Sequence, residues 1–89
     1  MAPADARIES EIRTLLRGRS PDASICPSEV ARQLWPEDGW RDAMPVIRRV
    51  AVRLASIGVI RITQADVELD PGQPATGPIR LRRGRRWID

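Results

Sequence analysis

The order of apolar and polar positions divides the chain into a short series of elements. Ile8, Ile12, Leu15 and Leu16 fall on one helical face, which predicts a helix from about Asp5 to Arg17. Glu9 stands four residues before Arg13, the order that supports a helix ion pair. Gly18 follows where a helix end favours a residue free to take positive φ. Arg19 to Ser24 is a polar turn, and Ser24-Ile25-Cys26 is long enough only for a small edge strand. Pro27 suits the first position of a second helix, where no N–H is needed. Glu29, at the third position, can reach back to the N–H of the capping residue. Val30, Ala31 and Leu34 form its buried face, and Pro36 ends it by disfavouring helical geometry at Trp35.

Pro36-Glu37-Asp38-Gly39 is a turn. A third helix is expected to begin between Asp42 and Pro45, with Pro45 in its first turn because proline breaks a helix interior. Ile47, Val50, Ala51, Leu54 and Ile57 make its buried face; Arg48, Arg49, Arg53 and Ser56 lie on the other side, and Gly58 stops it. Val59-Ile60-Arg61-Ile62-Thr63 alternates as a half-buried strand does, with Ile60 and Ile62 inward. Residues 64–78 are mostly turn formers, with a few strand-like residues around Val67 and Leu69. Ile79-Arg80-Leu81-Arg82 alternates again. The expected fold is α+β: a winged helix, with a three-helix helix-turn-helix core and a two- to three-stranded antiparallel β-wing. It would occupy residues 1–82, with 83–89 as a basic C-terminal tail.

The stretch Cys26-Pro27-Ser28-Glu29-Val30-Ala31-Arg32 through Trp40-Arg41 and Met44-Pro45, then Ile62-Thr63-Gln64 and Gly77-Pro78-Ile79-Arg80-Leu81, resembles a small bacterial family known as a domain of unknown function, number 3253. The resemblance covers nearly the whole chain. It implies a winged-helix-like fold, in agreement with the periodicity, and carries over no activity and no site residues. Cys26 stands where the resemblance leads one to expect a serine-like cap.

Composition removes several function classes. The 89 residues make room for one domain. Cys26 is the only cysteine, so no intrachain disulfide forms. No apolar run approaches the roughly 20 residues needed to span a bilayer, and Met1 to Ala6 lacks the order of a signal peptide. A cytoplasmic protein is expected. Histidine and tyrosine are absent, so Cys26 has no histidine to activate it. One cysteine without histidine excludes a zinc site, and no glycine-rich phosphate loop is present. Glu37, Asp38 and Asp42 are best explained as turn and helix-start carboxylates. The expectation is a protein that is not an enzyme and has neither cofactor nor metal.

Charge leaves two classes open. All 15 basic residues are arginine, and the excess lies late in the chain: residues 1–70 carry 10 arginines against 11 acidic residues, and 71–89 carry five against Asp89. Arginine suits phosphate and guanine recognition, although a GC-rich genome also favours its codons. Candidate contacts to double-stranded DNA are Arg41, Arg48, Arg49 and Arg53 at the third helix, Arg61, Arg80 and Arg82 on the wing, and Arg83, Arg85 and Arg86 in the tail. Glu37, Asp38 and Asp42 oppose phosphate at the end of the third helix that would meet base edges. The other class is a docking module for another protein, with Trp87 as candidate anchor and Trp35 and Trp40 closing one end of the core. DNA binding requires one continuous positive surface. Docking requires an exposed apolar patch and arginines paired with carboxylates.

Overall fold

The computed structural model describes residues 3–73 and 76–88. Among them are three helices, α1 (Pro3–Arg17), α2 (Pro27–Leu34) and α3 (Trp40–Ser56), and four strands, β1 (Ser24–Ile25), β2 (Ile60–Gln64), β3 (Val67–Glu68) and β4 (Arg80–Arg83). The strands form one antiparallel sheet in the order β1-β4-β2-β3. The architecture is α+β, compatible with a winged-helix-like arrangement.

One face of the sheet and the three helices enclose the core. Ile8, Ile12 and Leu16 of α1 meet Val30 and Ala31 of α2 and Ile47, Val50, Ala51 and Leu54 of α3. Ile25, Ile60, Ile62, Ile79 and Leu81 close it from the sheet side. The strand register places Ile62 opposite Leu81 and Ile25 opposite Leu81, so alternation sends Ser24, Arg61, Thr63, Arg80 and Arg82 to the other face. Trp35, Trp40 and Trp87 are half-buried against this core. Ile57, expected on the buried face of the third helix, is instead its exposed C-cap residue, because the chain turns away there.

Each helix end has an identifiable cause. At α2 the Glu29 carboxylate accepts the Cys26 N–H at 2.7 Å, as its position three residues on predicts. At α3, Gly58 takes φ 83°, and Gly58 N–H and Val59 N–H donate to the carbonyls of Ala55 and Leu54. That is the paired bonding of a Schellman motif, which only a left-handed residue permits. α1 ends at Arg17, just before Gly18, as the sequence predicts, but Gly18 is not left-handed. Its N–H continues the helical pattern to the Thr14 carbonyl. The last turn of α1 is closed from a distance by the Arg83 guanidinium, which donates to the carbonyls of Leu16 (2.9 Å), Arg17 (3.4 Å) and Arg19 (2.9 Å).

The start of α3 also differs from expectation. The helix begins at Trp40, with Gly39 as N-cap at φ 90°, so Pro45 lies inside it rather than in its first turn. Proline there removes the N–H that would reach the Arg41 carbonyl. Two contacts offset the loss. Trp40 packs against the core, and the guanidinium groups of Arg32 and Arg41 lie 4.4 and 4.5 Å from its ring centroid.

The ribbon contains a hairpin where residues 64–78 were expected to be mostly loop. Gln64 pairs with Val67 across a two-residue turn, and both turn residues, Ala65 (φ 50°) and Asp66 (φ 64°), are left-handed. Two positive φ angles are the geometry whose twist matches paired strands. The final segment is also tied in. Gly84 N–H donates to Val59 O and Arg86 N–H to Gly58 O, both at 2.9 Å. Of the segment expected as a tail, Arg83 ends β4 and residues 84–86 continue beside Gly58 and Val59; Asp89 lies outside the described residues.

Candidate functional site

The candidate arginines fall into separate groups. Arg61, Arg80 and Arg82 lie on the outer sheet face, opposite the face covered by the helices. Arg61 and Arg82 stand directly across from each other, which would be repulsive without countercharge. The hairpin brings the countercharge: Glu68 lies 3.9 Å from Arg61, and Asp66 lies 3.4 Å from Arg82. Arg80 donates to the Ser24 hydroxyl and carbonyl, and Arg82 to the Asp22 carbonyl.

On α3, Arg49 and Arg53 turn toward α1. Arg49 grips Asp5 through two bonds of 2.9 and 3.1 Å, and Arg53 reaches Glu9 at 3.1 Å. Glu9 also accepts from Arg13 at 3.0 Å. Burial works against the Glu9 charge, but the hydrogen bonds from Arg13 and Arg53 outweigh it and hold its pKa below the ordinary carboxylate value. Glu29 is lowered chiefly by its hydrogen bond from Arg19, against a smaller effect of burial. Arg41 lies over Trp40 and Arg48 donates to the Gly77 carbonyl. Arg83 closes α1, and Trp87 packs beneath it at 5.2 Å instead of standing clear as an anchor. Arg85 and Arg86 are exposed, and the Arg86 stem lies over Gly58. The structure thus places the α3 and sheet arginines on different sides of the molecule, and Arg49, Arg53, Arg61 and Arg82 each have a carboxylate partner.

The connection from β2 to β4 is acidic: Asp66, Glu68 and Asp70 fall between Ile62 and Ile79, with no arginine there.

Between α3 and this connection runs an apolar cleft of about 430 Å³ that is open to solvent. Ile62 and Ile79 form its floor. Pro45 and Val52 of α3 form one wall, and Leu69 and Pro71 the other. Arg48 and Arg49 stand on the helix rim and Asp70 on the loop rim. Val52 is 40% exposed. Sequence analysis did not single out this cleft. Its one sequence signal is phase: Val52 is apolar but out of step with the buried residues Ile47, Val50, Ala51 and Leu54. The pairing of Asp5 with Arg49 and of Glu9 with Arg53, each across 44 residues, had no such signal.

Among the described residues no group of three or more His, Cys, Asp or Glu side chains could hold a metal ion, and no helix is long and apolar enough to cross a membrane. Comparison with family models supplies the kinship: the model for the protein of unknown function DUF3253 matches residues 5–84. The chain belongs to the DUF3253 family. The matched span begins at Asp5 and includes every carboxylate and arginine of the α1–α3 ion pairs as well as the whole cleft. No curated protein matches the chain.

Proposed function

We propose that this DUF3253 protein is a winged helix used as a docking module, and that it binds another protein through the cleft between α3 and the wing. The winged-helix reading rests on the order of α2, a short turn, α3 and the β2–β4 ribbon. The observation that carries docking is the apolar cleft itself. It exposes Val52 of α3 beside the wall formed by Leu69 and Pro71. The surrounding charges agree. Arg49 and Arg53 are matched by Asp5 and Glu9, and the wing connection carries Asp66, Glu68 and Asp70, which repel phosphate.

Double-stranded DNA is the second reading. It is favoured by Trp40 stacked with Arg32 and Arg41 at the α2–α3 turn, and by exposed Arg85 and Arg86. One pair of measurements decides between them. A photo-crosslinking residue is placed at Val52 and, as a control, at exposed Thr14 of α1, and the protein is irradiated in cells. Anisotropy of labelled duplex DNA is followed in parallel from low to physiological salt. Docking predicts a discrete protein adduct from position 52 that is lost on L69R and absent from position 14. Duplex binding whose log K falls with log salt by about 0.9 per phosphate neutralised, with no adduct specific to position 52, would replace docking by the DNA reading.

A further inference from the structure

We propose that the occupant of the cleft is a segment of a partner protein that presents one or two aliphatic side chains next to a carboxylate. This rests on the docking reading and adds the chemistry of the partner. The open shape favours a side chain carried by a larger surface over an enclosed small molecule. Small-ligand sites commonly bury most of the ligand surface. This cleft has a helix on one side, a loop on the other and solvent above. A side chain carried by a larger surface is covered from above by that surface, so an open cleft suffices for it.

The floor and walls select aliphatic groups. Ile62, Ile79, Val52, Leu69, Pro45 and Pro71 offer carbon surface, and among the described residues no aromatic ring lines the cleft on which a planar group could stack.

The rim selects the acid. Two guanidinium groups, Arg49 and Arg48 (which also donates to the Gly77 carbonyl), line the cleft with one carboxylate, Asp70. The Asp70 Oδ1 atom already accepts the Gly72 N–H at 2.9 Å. The countercharge of Arg49 does not cover its outer side. The Asp5 side chain is only 9% exposed, whereas that of Arg49 is 63% exposed. A guanidinium has five N–H donors, and Asp5 takes one from each terminal nitrogen of Arg49. A carboxylate from a partner can therefore join Arg49 from solvent while Asp5 holds it from within. A basic segment would meet both arginines with like charge.

The test is a methyl and amide NMR titration of the full chain with three short probes. They are acetyl-Glu-Leu-Ile-Glu amide, acetyl-Lys-Leu-Ile-Lys amide and acetyl-Glu-Ser-Ser-Glu amide. The first should shift the methyls of Val52, Ile62, Leu69 and Ile79, and the other two should not. R48Q should weaken the first probe by about three- to tenfold, the effect of one partly exposed charge-assisted contact. V52D, which places a carboxylate at the cleft wall, should reverse the preference toward the lysine probe. The proposal is overturned if the two Leu-Ile probes bind equally, if shifts fall elsewhere, or if no probe shifts the cleft at millimolar concentration. It is also overturned if these methyls respond to protein concentration alone, which would make a second copy the occupant, or to duplex DNA. The two failures are distinguishable. A crosslink at Val52 with preference for lysine keeps docking and removes the acidic partner; absence of a crosslink removes docking and the acidic partner with it.

Discussion

Replacing Arg49 by Gln should destabilise the fold more than replacing Asp5 by Asn, although both remove the same ion pair. The reason is the unequal burial of the partners. In R49Q the Asp5 carboxylate stays in a site that is 9% exposed and loses two bonds of 2.9 and 3.1 Å. A buried charged acceptor left unsatisfied costs about 2–3 kcal/mol. In D5N the stranded group is the Arg49 guanidinium, 63% exposed, which water can rehydrate. That loss, including the weaker favourable field of the helix N-terminus, is about 1 kcal/mol. A domain of this size has a total stability of roughly 4–13 kcal/mol, so the difference is measurable. The assay is urea unfolding followed by the fluorescence of Trp35, Trp40 and Trp87, all half-buried. Midpoints should shift at constant slope, and the double mutant should show a coupling of about 1 kcal/mol. Equal costs, a larger cost for D5N, or a coupling below about 0.3 kcal/mol would refute the claim that α1 is pinned to α3 by a pair buried on one side.

R83M keeps the aliphatic stem but removes the donors that close α1. It should cost about 2 kcal/mol and speed amide exchange in the last turn of α1, measured by hydrogen exchange. G84A should cost about 3 kcal/mol or prevent folding, because its Cβ would lie 2.2 Å from the Gly58 carbonyl oxygen. G18A, whose Cβ meets nothing closer than 3.5 Å, is the control and should be near neutral in thermal melts. A65N should stabilise by about 0.5 kcal/mol, since asparagine tolerates the left-handed conformation that Ala65 adopts at φ 50°; an unchanged melting temperature would count against the turn. Acid should destabilise through Glu9 and Glu29. Their folded pKa values are lowered, so their contribution is full above the ordinary value of 4.5 and is lost as pH falls through the lower folded values. E9Q and E29Q should each flatten the fall of the melting temperature below about pH 4.5.

The helices and main strands were legible in the sequence because their signals are local. The period of Ile8, Ile12 and Leu16, the proline at position 27 with Glu29 behind it, and the alternation through Ile60 and Ile62 each fit within a few residues. So did Gly58 as a stop, since a Schellman motif uses only the neighbouring turn. The misses have a common cause. Pro45 argued for a late start to α3, but packing of Trp40 outweighs one lost backbone bond. Ala65-Asp66 lacks the Asn-Gly signature, so its hairpin turn shows only in the φ angles. Gly18 looked like a left-handed cap, while the group that closes α1 is Arg83, more than sixty residues away.

By itself, then, the sequence determined the number, type and order of the main elements and the apolar faces they bury. Only the tertiary structure decided which groups the arginines meet. A guanidinium looks the same in sequence whether it faces phosphate, a carboxylate or the end of a helix. Its role is set by which groups come within about 3–4 Å of it. Arg49 and Arg53 meet Asp5 and Glu9, and Arg61 and Arg82 meet Glu68 and Asp66, through folding that joins distant segments. The same folding lays the loop of Leu69 and Pro71 beside Val52 and makes the cleft. No window of the chain contains both of its walls.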